Sequence, residues 1–275
     1  MATRFADKLS KALPGLEDTI YQYGGHGYPR VQKVRQDLLD SIPAICPERA
    51  LLITESYKQT EGEPYVLRKA KALDAILSNM SITIEDGQLI VGNQASSQRA
   101  APIFPEYSID WVINELDKFE VRTGDVFAIS EDTKAKLRGI HAYWKGKTHQ
   151  DDVYAGMSAI NMQAQKQNVI HRGGISMSGD GHIIPHHEKI LAKGYRGIQR
   201  DAQEALKKRG LAQDQIDFYN AVIIVMEAAI KFARRYSKLA SEMAAKEPDP
   251  KRKAELETIA KINARIMKGR AQSFH

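Results

Sequence analysis

Ala221-Val-Ile-Ile-Val-Met-Glu-Ala-Ala-Ile230 decides how this chain folds. The surrounding pattern predicts one helix from Gln213 to Glu247, and across these residues it is apolar nearly all round. A helix of that kind must be covered on several faces rather than one. Helices are also expected over Glu188 to Lys208 and Lys251 to Met267, with Pro248 and Pro250 separating the long helix from the last one.

Upstream, two helices open on a proline in the first turn, where the missing N–H costs nothing: Pro47 to about Tyr57 and Pro64 to about Asn79. Val66, Leu67, Ala70, Leu73, Ile76 and Leu77 recur at helical spacing, which predicts a one-sided core stripe. Val31, Val34, Leu38 and Leu39 predict another one-sided helix, ended by Pro43. Phe5, Leu9 and Leu13 predict a short amphipathic arm stopped by Pro14-Gly15, which suits docking or, alternatively, loading into a protein shell. Ser108 and Ser130 are expected N-caps, the first for a helix with Ile109, Val112, Ile113 and Leu116, the second for a helix from Glu131 to Trp144.

The period changes at Ser81-Ile-Thr-Ile-Glu-Asp-Gly-Gln-Leu-Ile-Val-Gly92, two β-rich runs around Glu85-Asp86-Gly87 that read as a hairpin. Residues 93–105 read as extended loop, and residues 145–185 as irregular chain rich in Gly, Ser, Asn and His. The predicted class is therefore mostly α with a short β-hairpin. With no internal repeat and no low-complexity linker, it is expected to form one folding unit.

Composition narrows the function classes. The chain has 275 residues, 43% hydrophobic and 27% charged, which is globular rather than disordered. One cysteine, Cys46, excludes an internal disulfide and any multi-cysteine zinc or iron–sulfur site, and suits a reducing compartment. No apolar run reaches the roughly 18 residues of a membrane span, and the first residues match neither a secretory signal nor a transit peptide. The net charge of +6 raises nucleic acid as a partner. Residues 189–275 hold 19 Lys/Arg against 10 Asp/Glu, whereas the first 188 hold 21 against 24, so the excess is C-terminal. Lys207-Lys208-Arg209, Arg234-Arg235 and Lys251-Arg252-Lys253 carry no interleaved aromatics or glycines, and a solvated helix face is preferred to an RNA-binding stripe.

Three places could carry chemistry. His182 sits in Ser176-Met-Ser-Gly-Asp-Gly-His-Ile-Ile-Pro-His-His-Glu188, where a glycine-rich loop could present it to a polar substrate as hydrogen-bond partner or proton shuttle. A surface or capping histidine is the alternative. His182 and His186 are also four apart beside His187 and Glu188, but Pro185 argues against the helix that a metal pair of this spacing needs, so no metal is expected. Arg172, before Gly173 and Gly174, could clamp a carboxylate, phosphate or sulfonate. Cys46 precedes a helix start, which can activate a thiol, yet Ile42-Pro-Ala-Ile45 points to burial.

A longer set of motifs carries a family resemblance. Glu48-Arg-Ala-Leu-Leu-Ile-Thr-Glu-Ser-Tyr-Lys-Gln-Thr-Glu-Gly-Glu-Pro64, Val66-Leu-Arg-Lys-Ala-Lys-Ala72, Ile82-Thr-Ile-Glu-Asp-Gly-Gln-Leu-Ile-Val-Gly-Asn93 and Pro102-Ile-Phe-Pro-Glu-Tyr107 come first. Arg122-Thr-Gly-Asp-Val-Phe-Ala-Ile-Ser130, Tyr143-Trp144, Gly181-His182 and Arg252-Lys-Ala-Glu-Leu256 follow in order. Together they resemble the N-terminal region of glycyl radical enzymes of the pyruvate formate-lyase type, most closely the glycerol dehydratase-like branch.

The resemblance implies the N-terminal part of a ten-stranded α/β barrel, with residues 1–27 as an arm and 28–275 as an incomplete pyruvate formate-lyase-like domain. It implies an anaerobic cytoplasmic enzyme, or one inside a bacterial microcompartment, that cleaves C–O or C–S bonds of a small hydroxylated substrate. His182 then matches a substrate-contacting histidine, with Arg172 as a further substrate-binding candidate. Gly174 falls where that branch has another pocket residue, which leaves the substrate open. The implied radical resides on a glycine and passes to a cysteine, after installation by a radical S-adenosylmethionine activating enzyme. Neither a Gly-Cys-Val-Glu-type motif nor an Arg-Val-x-Gly-Tyr loop occurs in this sequence, and Arg270-Ala-Gln-Ser-Phe-His275 resembles the start of a longer element. The expected catalytic residues in this chain are therefore none, and the chain alone is expected to be inactive. Its expected partners are the small polar substrate, the activating enzyme, the remainder of the enzyme chain and a second copy in a homodimer, with no nucleic acid or membrane. A formate C-acetyltransferase and a stand-alone, non-catalytic interaction module are the alternatives.

Overall fold

The computed structural model describes residues 29–170 and 184–272. In chain order its elements are α1 (Pro29–Asp40), β1 (Ala44–Cys46), α2 (Glu48–Gln59), α3 (Tyr65–Asn79), β2 (Ala100–Pro102), α4 (Asp110–Glu115) and α5 (Glu131–Trp144). There follow α6 (His149–Gly156), α7 (Ala159–Lys166), α8 (His187–Leu206), α9 (Gln213–Ala244) and α10 (Pro250–Arg265).

Helix α9 is the spine, as its nearly continuous apolar surface requires. Among its buried positions are five alanines, Ala221, Ala228, Ala233, Ala240 and Ala244, together with the larger Ile230 and Tyr236. Helices α3, α8 and α10 pack on it. Polar ties fix the arrangement: Lys231 pairs with Asp74 of α3 at 3.0 Å, and Arg196 of α8 pairs with Glu227 at 2.7 Å. Arg235 donates to the carbonyl oxygens of Leu77 and Met80, the first at 2.6 Å, and so closes the C-terminal end of α3.

Two apolar clusters form the core. One gathers Ile45, Ile53, Tyr57, Ile76, Leu116, Phe119, Leu137 and Trp144 from β1, α2, α3, α5 and the α4 region. The other joins Ile84 to Tyr236 and Ala240 of α9 and to Leu256 and Ile259 of α10. Phe232 packs against both. Ser130 caps α5 as expected, its hydroxyl accepting from the Thr133 N–H.

Four expectations need correction. Residues 81–92 form no strands. The turn is present, with Gln88 N donating to the Glu85 carbonyl at 3.2 Å, but the arms are bridged by the Asn93 side chain, which accepts from Thr83 N and donates to the Ser81 carbonyl. The turn carbonyls also accept from arginines: Arg252 donates to Gln88 O at 2.8 Å and Glu85 O at 3.1 Å, and Arg30 donates to Gly87 O at 2.9 Å. Secondly, the stretch 93–105 contains β2, which pairs in parallel with β1 in the register Ala44 to Ala100, Ile45 to Ala101 and Cys46 to Pro102. Thirdly, Ile109 occupies the N-cap position of α4, and the Ser108 hydroxyl accepts from the Trp111 indole at 3.0 Å. Fourthly, the irregular stretch 145–185 contains α6 and α7, each opened by a side-chain cap, Thr148 with Asp151 and Ser158 with Asn161. The predicted arm at residues 1–27 lies outside the described residues.

Candidate functional site

His182 and Arg172, the two residues on which the substrate reading rests, lie outside the described residues. The chain is described again from Ile184, and α8 begins directly after. His186 is its N-cap, its Nδ1 accepting from the Lys189 N–H at 3.3 Å, so one candidate metal-binding nitrogen is engaged in holding a helix start. Among the described residues no group of three or more His, Cys, Asp or Glu side chains is placed to hold a metal ion. Cys46 is 2% exposed, so the thiol at this helix start is held inside the core.

Two concavities stand out among the described residues. A groove of about 420 Å³ runs between α2, α3 and α9. Its walls are apolar, with Ile53, Leu73, Ile76, Val222 and Met226, and one end is polar. There Arg49 forms a two-pronged ion pair with Glu106, one bond at 3.0 Å, and stacks its guanidinium 3.8 Å over the Phe104 ring. Each charge neutralises the other. Burial pushes the Tyr57 hydroxyl at this end well above the usual phenol range, so it stays protonated at any ordinary pH. Lys69 and Tyr107 also line the groove, so its apolar walls carry the Arg49–Glu106 pair, an ammonium and two phenols as polar groups.

A second cavity of about 500 Å³ is polar and lies beside the 81–98 segment, with Thr83, Glu85, Gln88, Asn93, Gln94 and Gln98 in its lining. Its floor is held from α9. The Asn93 N–H donates to the Tyr236 hydroxyl at 3.0 Å, and that hydroxyl donates to Asn93 Oδ1. Burial raises Tyr236 from its ordinary range, which keeps the donated proton in place. Sequence reading missed Tyr236, Arg235 and Arg252 as organising residues, although Arg252 stands at the head of a family-like run. Two of the basic clusters therefore contain a residue that works inward: Arg252 is buried and Arg235 half-buried.

The comparisons agree with this architecture. The family model for pyruvate formate lyase-like proteins matches residues 21–275, and the chain belongs to that family. The (2S)-3-sulfopropanediol dehydratase of Klebsiella oxytoca is 38% identical over 261 residues, covering 90% of this chain and 31% of that protein. The glycerol-bound B12-independent glycerol dehydratase of Clostridium butyricum superposes with a TM-score of 0.85 at 42% identity, over 89% of this chain and 32% of that one. A glycyl radical enzyme from Archaeoglobus fulgidus superposes with a TM-score of 0.78 at 34% identity, over 85% of this chain and 30% of that one. The chain spans about a third of the length of these relatives. No described helix is long and apolar enough to cross a membrane.

Proposed function

We propose that this chain is the N-terminal portion of a cytoplasmic glycyl radical lyase or dehydratase acting on a small hydroxylated substrate, including hydroxylated sulfonates, with C–O or C–S cleavage. The observation that supports it is the joint fit of sequence and shape to relatives named for glycerol and sulfopropanediol dehydration, over nine-tenths of this chain but a third of theirs. In this reading the glycyl radical, installed by a radical S-adenosylmethionine activating enzyme, supplies hydrogen abstraction through a cysteine carried elsewhere. The residues of this chain do the binding: His182 holds a substrate hydroxyl and Arg172 a charged end. Without the abstracting sulfur there is no transition state to stabilise, so the chain alone is inactive.

Sequencing the DNA beyond the codon for His275 tests the reading. A continuing or adjacent frame with Gly-Cys-Val-Glu and Arg-Val-x-Gly-Tyr motifs is the expected result. A stop codon with no such motifs in an adjacent frame, together with a purified chain that is stable and monodisperse, would overturn it in favour of a non-catalytic interaction module.

A further inference from the structure

Helix α8 is broken at Gly194, whose φ of 64° and ψ of 173° lie in a region essentially open to glycine alone. In an unbroken helix the Tyr195 N–H would donate to the Leu191 carbonyl. Here the Tyr195 N–H donates to the Met267 carbonyl at 3.0 Å, and the Leu191 carbonyl accepts from the Ala271 N–H at 2.9 Å. The segment after α10 thus fills both halves of one opened helical hydrogen bond. The approach is close: a Cβ on Gly194 would stand 2.7 Å from the Gly269 carbonyl carbon and nitrogen. Kinks need an identifiable cause, and this one has a donor, an acceptor and a glycine matched to it.

We propose that residues 267–271 splint this break and fix the direction of the first limb of α8, His187–Lys193, which makes the strap a positioning element for the chain that leads into α8 at residues 184–186. The functional half of this inference rests on the reading of His182 as a substrate contact; the mechanical half does not. Leu191, Tyr195, Met267 and Ala271 act through backbone groups, so their side chains can vary while the geometry persists. Gly194 is dictated by its backbone conformation, and a Cβ at Gly197 would stand 2.7 Å from Lys193 Cβ.

The mechanical half is read on the chain itself. Spin labels at Glu188→Cys and Glu204→Cys, both exposed and on opposite sides of the break, are placed in a Cys46→Ala background. Ala271→Pro removes the N–H that meets Leu191, and the inter-label distance distribution is expected to broaden and move, with loss of hydrogen-exchange protection at the Tyr195 amide. Gly269→Ala, whose Cβ would meet nothing within 4 Å, is expected to change neither. An unchanged distance distribution in Ala271→Pro would overturn the proposal. In the unaltered chain the Tyr195 and Ala271 amides should exchange as one unit, and unprotected exchange at Ala271 would overturn it without any variant. In the full-length enzyme, Ala271→Pro is expected to raise KM with the glycyl radical yield unchanged. If His182→Ala leaves turnover intact while the spin-label result holds, the substrate reading fails and the splint stands.

Discussion

The Trp144 indole N–H donates to the Thr54 hydroxyl at 2.7 Å, and that hydroxyl in turn donates to the Ala50 carbonyl at 2.6 Å. Both side chains are essentially inaccessible, at 1% and 2% exposure. This chain of bonds ties the end of α5 to the middle of α2 inside the larger apolar cluster. Thr54→Val keeps the shape but leaves the indole N–H without an acceptor, and a buried unpaired donor costs about 1–3 kcal/mol. A urea-unfolding midpoint lowered to that extent, with Thr54→Ser close to the original, is the expected outcome.

Acidification should act through Glu255. Hydrogen bonding from Arg30, opposed in part by desolvation and reinforced by Arg252, holds its carboxyl below the usual glutamate range. A carboxyl lowered in the folded state contributes stability that is complete above its unfolded pKa of about 4.3 and is lost as pH falls through the lowered value. Unfolding midpoints followed from about pH 6 to about pH 3 should fall on the acid side, and Glu255→Gln should flatten that part of the curve.

Tyr236→Phe removes the hydroxyl that both accepts from and donates to Asn93. The expected cost is about 1 kcal/mol, with faster hydrogen exchange concentrated in residues 81–93 rather than in α9. Exchange rising uniformly along the chain would show that the phenol stabilises the spine and not the segment.

For the catalytic reading, His182→Ala in the full-length enzyme should lower turnover without reducing the glycyl radical signal in electron paramagnetic resonance. Undiminished turnover would remove the role assigned to His182.

The longer helices were legible because they depend on neighbours three or four residues away, whereas the eight-residue α6 and α7 are too short to show that period. The stripe from Val66 to Leu77, the Ser130 cap and the apolar girth of 221–230 are all local signals. The segment 81–92 was half legible. Its turn residues announce a reversal, but whether the arms then pair depends on Arg30, Arg252 and Tyr236, which approach only when α1, α9 and α10 are assembled. The pairing of Ala44–Cys46 with Ala100–Pro102 was illegible for a similar reason, since three-residue strands carry no periodicity and their partners are distant in sequence. Motif resemblance proposed His182, which lies outside the described residues, while the groove and its Arg49–Glu106 pair gave no local signal. A two-pronged ion pair between residues so far apart in sequence is set by the fold that brings α2 against the 103–107 segment.

Because Cys46 is the chain's single cysteine and is buried at the end of β1, paired with Pro102 of β2, a thiol reagent can reach it only when that corner opens. The molecule therefore carries its own reporter: labelling at one equivalent, timed against reagent concentration, measures how often the parallel strand pair comes apart, with no engineered tag.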